Sequence, residues 1–277
     1  MFMLKNLNYQ KKIAVLVTSA CLVFCPLSVQ AAEPLIVHVF VALTDNTYQG
    51  IVPVPAALGD GDDPTKNLYW GAAYGMKTFF SKKAPAWKQE TCRKNVSSQI
   101  LERCVFSSVN EPRAYIVADA YRGREIGAAM QDFMKSAAGK LPLREDIARA
   151  NGQTIKLDAP QSARLSIYIG HNGLMDAPLR ALAATFPSGL PQNRQAAVLA
   201  CKSQAYFSTY LQRSGAQNLV TTYDFMAPEA YIVEGIVDSW RRGGSAEQVR
   251  IRAAQAYAKY QKISEKSARR MFGAPRL

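Results

Sequence analysis

The sequence predicts an α/β fold, a three-layer sandwich in which a mostly parallel sheet is flanked by helices on both faces. Apolar segments rich in β-branched residues alternate along the chain with amphipathic segments of helical period. Several of the apolar segments are nearly continuous, which is typical of parallel strands buried on both faces. The sequence contains no internal repeat and no credible linker, so we expect one domain over residues 33–277.

The first half of that domain predicts three strand regions and two helices. The elements, in order, are a strand over Pro34–Leu43, a loop dense in Pro, Gly and Asp, a helix over Leu68–Lys83 despite two glycines, a hairpin over Trp87–Val109, a strand over Arg113–Tyr121, and an amphipathic helix that follows Gly123 and ends at Gly139.

The second half continues the alternation. We expect strands over Arg164–Gly170 and Gln195–Ala200, a helix over Lys202–Gly215 and a fifth core strand over Asn218–Tyr223. A helix over Ala227–Gly244 with Pro228 near its first turn follows, and then a last helix that begins with a Ser245/Gln248 capping box. This strand and helix order implies a mostly parallel sheet with helices on both faces.

Residues 1–32 have the pattern of a signal peptide. Three lysines precede the apolar run Ile13–Phe24, which is too short to span a bilayer comfortably, and small residues near Ala31 suit cleavage. A lipoprotein interpretation through Cys25 is the alternative, although bulky Phe24 beside it disfavours this. The pattern predicts a periplasmic or secreted protein that is not an integral membrane protein.

The chain is strongly basic, with 34 Lys and Arg against 21 Asp and Glu and a net charge of +13. The predicted leader holds three of the lysines, which leaves 31 against 21, or +10, for the remainder. Such charge suits an anionic envelope surface as a partner, or is dispersed and solvated. Export argues against nucleic acid as a partner.

Three cysteines remain after the predicted leader. Cys92 and Cys104 are close in sequence and are expected to form a disulfide in an oxidising compartment. Cys201 is then unpaired, and we expect it to be either buried as a small apolar residue or used in chemistry.

The candidate site lies at two strand ends. His171 follows the strand RLSIYIG, and Cys201 follows the strand QAAVLA. Consecutive parallel strand ends converge on one crevice, so the imidazole and the thiol can form a base and a nucleophile. The start of a helix directly after Cys201 would favour the thiolate. The alternative is a packed thiol and a histidine that only completes a loop.

These two blocks, IYIG before His171-Asn172-Gly173 and AAVL before Ala200-Cys201, resemble the signature of the clan CD cysteine peptidases, which include caspases, legumain, gingipains, clostripain and separase. The order of elements after Cys201 is similar to that of separase and CHAT-type members. The resemblance implies a caspase-like fold and a peptidase that cleaves peptide bonds in a peptide or protein substrate with Cys201 and His171 and needs no cofactor. It also implies that the backbone of Asn172 or Gly173 stabilises an oxyanion. The family usually has glycine directly after the histidine, where this chain has Asn172.

The substrate-binding residues are predicted from their position around the same crevice. In relatives, residues after the strand that follows the cysteine line the first specificity pocket, which corresponds here to Tyr223, Asp224 and Phe225. Asp224 could bind a Lys or Arg side chain, or is an ordinary loop carboxylate. Asp45 and Asn46 follow the first strand and would form part of the rim.

The remaining patterns in the sequence give weaker indications of function. We expect no metal site: Asp60-Gly61-Asp62-Asp63 lacks the full spacing of a calcium loop and is expected to be an acidic turn. His38 lies inside the first strand and is expected to be a bonded core histidine. A non-catalytic protein of the same fold that binds a peptide or an envelope component, and another amidase or acyltransferase, remain as alternative functions.

Overall fold

The computed structural model describes residues 34–149, 151–177 and 193–273, and the predicted leader lies outside them. The chain from Pro34 onward forms one compact unit. Its strands are Leu35–Ala42 (β1), Trp87–Lys94 (β2), Ile100–Ser108 (β3), Ala114–Tyr121 (β4), Leu143–Ala148 (β5), Thr154–Ala159 (β6), Leu165–Ile169 (β7), Gln195–Leu199 (β8) and Gln217–Val220 (β9). Its helices are Met76–Lys82 (α1), Ile126–Ala137 (α2), Ser203–Ser214 (α3), Ala230–Arg241 (α4), Ala246–Gln261 (α5) and Glu265–Met271 (α6), with a short 3-10 turn at Gly123–Glu125.

A seven-stranded sheet in the order β2-β3-β4-β1-β7-β8-β9 forms the centre of the molecule. The five strands from β4 to β9 in that order are parallel, and the β2–β3 hairpin joins them antiparallel through β4. The fold is therefore α/β with a mostly parallel sheet, as the sequence predicts.

Helices cover both faces of the sheet, and the side chains of β1 point alternately into the two cores between the sheet and these helices. Val37, Val39 and Val41 pack in the cluster that includes apolar residues of α1, α4 and α5. Phe40 and Ala42 pack in the cluster that includes residues of α2 and α3. This alternation is the period of two that a strand imposes on its side chains.

The disulfide prediction is confirmed. Cys92 of β2 and Cys104 of β3 lie directly opposite each other in the antiparallel ladder. A disulfide joins them, with Cα atoms 4.1 Å apart. This covalent link fastens the edge strand β2 to the sheet.

A buried ionic network attaches the β5–β6 hairpin to the sheet and includes His38. The His38 Nε2 atom lies 2.8 Å from Asp119 Oδ2, and Arg103 Nε donates to Asp119 Oδ1 at 2.5 Å. Arg103 also donates to Glu145 of β5 at 2.5 Å. Burial by itself raises the pKa of the Asp119 carboxyl, but hydrogen bonds and charges from Arg103 and His38 outweigh it and lower the pKa. His38 is thus a bonded core histidine, as expected.

Two regions differ from the sequence prediction. The helix expected over Leu68–Lys83 is confined to α1. Before α1 the backbone packs closely on itself: a Cβ on Gly71 would lie 2.1 Å from the Thr65 carbonyl oxygen, and one on Gly75 would lie 2.5 Å from the Trp70 backbone. These glycines therefore allow close turns rather than a helix. The β5–β6 hairpin and α6 are elements that the sequence did not predict.

None of the helices in the described part of the chain is long and apolar enough to cross a membrane.

Candidate active site

His171 and Cys201 stand at equivalent positions beyond two adjacent parallel strands. In the ladder of β7 and β8, Ile169 pairs with Leu199. His171 and Cys201 each lie two residues beyond that pair. The sheet therefore delivers both residues to the same edge, where the carboxyl ends of parallel strands meet.

The Asn172 side chain fastens the two loops together. Its Nδ2 atom donates to the Cys201 carbonyl oxygen at 2.7 Å, and its Oδ1 atom accepts from the Leu174 N–H at 3.1 Å. The Tyr168 hydroxyl fixes the same loop by donating to the His171 carbonyl oxygen at 2.7 Å. Asn172 is fully buried, so these bonds are protected from water.

His171 has a carboxylate partner that sequence reasoning missed. Its Nε2 atom lies 2.8 Å from Asp176 Oδ2, and the same oxygen accepts the Gly50 N–H at 3.1 Å. The Asp176 N–H donates to the Gly173 carbonyl at 3.2 Å, in a turn that folds the carboxylate back over the imidazole. The available signal was an acidic residue five positions after a candidate base on the same loop.

Cys201 is an unpaired, partly exposed cysteine. Its Sγ atom accepts the Met226 N–H at 3.4 Å and lies 3.5 Å from the Met226 carbonyl oxygen. Burial raises the pKa of the Tyr69 hydroxyl, and a thiolate at Cys201 would raise it further. Burial likewise raises the pKa of Tyr257, and a thiolate at Cys201 would add to that effect. Two protonated phenols therefore lie near the thiol.

The start of α3 does not present free donors beside the thiol. The Lys202 N–H donates to the Asp224 carbonyl at 3.0 Å, and the Gln204 N–H donates to the Thr222 carbonyl at 2.9 Å. The Ser203 N–H also bonds, to the Thr222 hydroxyl at 3.3 Å. None of these three N–H groups is therefore available to an oxyanion beside Cys201.

The two residues predicted as oxyanion donors differ in availability. The Gly173 N–H already donates to the His171 carbonyl oxygen at 3.2 Å. For the Asn172 N–H, the structure gives no acceptor among residues 34–149, 151–177 and 193–273. Asn172 is fully buried, however, so its N–H is not open to a substrate in this structure.

The predicted substrate rim is exposed and joined to Cys201 through Met226. Tyr223 and Phe225 are large exposed aromatic residues, with 58% and 59% of their surface accessible. The Lys202 Nζ atom lies 4.3 Å from the centre of the Phe225 ring. Asp224 is exposed between them, and its Oδ1 atom accepts the Phe225 N–H at 2.8 Å.

Asp45 and Asn46 lie in the loop after β1, where their side chains bond within the loop. Asp45 Oδ1 accepts the N–H groups of Thr47 and Tyr48 at 2.8 and 3.1 Å. The Asn46 amide exchanges two hydrogen bonds with the Val54 backbone. Both residues thus shape the loop that supplies Gly50 to Asp176, and their contact with a substrate stays a prediction.

The acidic turn has its own partners. Asp62 forms ion pairs with Arg122 and Arg124, at 2.5 and 3.0 Å, and the Asp63 carboxylate accepts from Thr65. In the described ranges, the one group of side chains close enough to hold a metal ion is Cys92, Glu102 and Cys104. The disulfide occupies both of those sulfur atoms.

The fold and site define an α/β protein with a thiol and a carboxylate-bonded imidazole at neighbouring strand ends. Comparison of the chain with protein-family models, curated proteins and solved structures found no match.

Proposed function

We propose that this chain is a caspase-like cysteine peptidase that uses Cys201 as nucleophile and His171 as general base and acid. The observation that carries the proposal is the equivalent placement of the two residues, each two positions beyond the Ile169–Leu199 pair of adjacent parallel strands. The sheet order and the resemblance around His171 and Cys201 support the same class. Its substrate would be a peptide or protein.

The proposed reaction has two stages. His171 accepts the Cys201 Sγ proton, and the sulfur attacks the carbonyl carbon of the scissile bond. The C–N bond breaks as His171 returns that proton to the leaving amine, and the acyl group remains on sulfur as a thioester. Water then attacks the thioester while His171 accepts its proton, the C–S bond breaks, and the carboxylic acid product leaves as the thiol regains a proton.

The oxyanion that forms in each stage needs a hydrogen-bond donor, and the resemblance implies the backbone of Asn172 or Gly173 for that role. The Gly173 N–H and the first N–H groups of α3 are engaged elsewhere. Loss of one such donor typically costs about 2.7–4 kcal/mol of transition-state stabilisation.

The exposed loop that carries Tyr223, Asp224 and Phe225 is the proposed wall for the substrate residue before the scissile bond. It is joined to the nucleophile by the bond from the Met226 N–H to Cys201 Sγ. Asp224 would pair with a Lys or Arg side chain of the substrate. The protein would act in the periplasm or outside the cell, and an anionic envelope surface is a proposed partner on account of the basic charge.

The alternative function is peptide or envelope-component binding in the same crevice without catalysis. The occupied N–H groups at the start of α3 favour this alternative, because they remove donors that an acyl transfer site would use. The two functions differ in what they require of Cys201: catalysis needs a reactive thiol, and binding does not.

Labelling with a thiol-reactive peptide probe separates the two functions. Cys92 and Cys104 are in the disulfide, so Cys201 is the free thiol of the described chain. The peptidase proposal expects rapid labelling that is lost in Cys201→Ala and slows sharply in His171→Ala. Labelling at the rate of an ordinary thiol that is unaffected by His171→Ala, with no cleavage across a varied peptide library, would overturn it and support binding.

A further inference from the structure

We infer that Asp176 is the positioning residue of His171, and that the loop after β1 holds Asp176 in place through Gly50. The inference rests on the proposed function, which it deepens by adding a carboxylate that acts through the imidazole. Among the described residues, the Asp176 carboxylate bonds to the His171 ring and the Gly50 N–H, and not to the thiol.

The geometry fixes the roles of the two ring nitrogens. An ionised carboxylate only accepts hydrogen bonds, so Nε2, which lies 2.8 Å from Asp176 Oδ2, must carry the proton. In a neutral imidazole, Nδ1 then holds the lone pair that would accept the Cys201 proton in the proposed reaction. In this structure the hydrogen bonds of Cys201 Sγ go to the Met226 backbone instead. When that proton arrives, the adjacent carboxylate stabilises the imidazolium through a charge-assisted hydrogen bond.

Backbone groups from two loops hold the carboxylate. The Gly50 N–H donates to Asp176 Oδ2 at 3.1 Å, and the Asp176 N–H is fixed to the Gly173 carbonyl at 3.2 Å. A Cβ on Gly50 would lie 2.4 Å from Asp176 Oδ1, closer than real Cβ atoms approach. Any side chain at position 50 therefore displaces the carboxylate, which gives a way to move Asp176 without changing its chemistry.

Charge and position can be tested by different substitutions. Asp176→Asn keeps the size and an oxygen for the Gly50 N–H but removes the negative charge. Gly50→Ala keeps the charge but shifts it. Asp158→Asn is the matched control, because Asp158 is an exposed aspartate of the β5–β6 hairpin with an ion pair to Arg144.

The experiment measures the maximal rate of covalent labelling of Cys201 by the peptide probe, and separately the probe concentration for half-maximal rate. We expect Asp176→Asn to lower the maximal rate by about 10- to 100-fold with the half-maximal concentration unchanged. Gly50→Ala should also lower the maximal rate, and Asp176→Glu should keep part of the rate that Asp176→Asn loses. Asp158→Asn should behave as wild type. A purely structural role would instead lower thermal stability and leave the maximal rate per folded molecule unchanged.

Proton NMR gives a readout without catalysis. The chain has two histidines, each with Nε2 bonded to a carboxylate, so two downfield ring N–H signals are expected, and His171→Gln assigns one of them. That signal should move upfield in Asp176→Asn and in Gly50→Ala. If His171→Ala slows labelling while both substitutions leave the rate and the signal unchanged, the role of Asp176 is overturned and the proposed function stands. If His171→Ala also leaves the labelling rate unchanged, both the role of Asp176 and the proposed function are overturned.

Discussion

Replacement of Asn172 by alanine should destabilise the fold and loosen the site together. The change removes the donor to the Cys201 carbonyl and the acceptor for the Leu174 N–H, at 2.7 and 3.1 Å. Because Asn172 is fully buried, water cannot readily replace either bond. Each buried polar group left unsatisfied costs about 1–3 kcal/mol, so for these two groups we expect a loss of about 2–6 kcal/mol in the free energy of unfolding.

Asn46→Ala is the matched control for this prediction. Asn46 also makes two side-chain hydrogen bonds, with the Val54 backbone, but it is only partly buried in the loop after β1. Water can take over part of its role, so its loss should be below about 1 kcal/mol. Urea titration followed by circular dichroism gives both values. Equal losses in the two variants would refute the reasoning that burial makes the Asn172 bridge costly.

Four further outcomes are expected. Lys202→Gly should be about 1 kcal/mol more stable than Lys202→Ala in urea titration, because residue 202 has a φ of 50° and only glycine relieves this left-handed conformation. Asp119→Asn should weaken the loss of folding stability at acid pH. The pKa of Asp119 is lowered in the folded protein, so the ionised carboxylate stabilises the fold above the unfolded pKa, and this stabilisation is lost as pH falls through the folded pKa. Joint replacement of Cys92 and Cys104 by alanine should cost about 3 kcal/mol, as expected for a bridge across 12 residues, and should leave Cys201 labelling intact. Asp224→Asn should remove any preference for probes with Arg over Leu at the residue before the reactive group.

Each of these outcomes has a contradicting result. Equal stability of the glycine and alanine variants would contradict the backbone cost at Lys202. If stability falls at acid pH as steeply in Asp119→Asn as in the unmodified protein, ionisation of Asp119 does not contribute to that fall. A fall in the rate of Cys201 labelling on loss of the disulfide would contradict the expectation that the disulfide and the Cys201 site are independent. Faster reaction of the Leu probe with the unmodified protein would remove Asp224 from the substrate wall.

The fold was predictable where the signal is local. The five parallel strands appear in the sequence as apolar runs with clear ends, and the positions of His171 and Cys201 follow from those ends. The β5–β6 hairpin was not predicted, because β5 buries only alternate residues between charged ones and resembles a loop. The shortened α1 was missed because the close contact of Gly71 with Thr65 is a property of the folded turn.

The candidate site was predictable only in its outline. Asp176 lies five residues after His171, but its role depends on a turn that brings it back and on a bond from Gly50, 126 residues away in the chain. The engagement of the α3 donors likewise depends on the Thr222 segment, which the sequence alone does not place. Periodicity reports which strands exist, whereas these contacts come from loops that meet only after folding.

The two outer strands of the sheet bear on how this protein behaves in a crowded compartment. An unpaired strand edge is a template for association with other chains, and charged side chains and short length suppress it. β2 carries Lys88, Arg93 and Lys94 with exposed surface, and its tie to β3 resists local opening. β9, at the other edge, has only four residues. We therefore expect resistance to edge-to-edge aggregation.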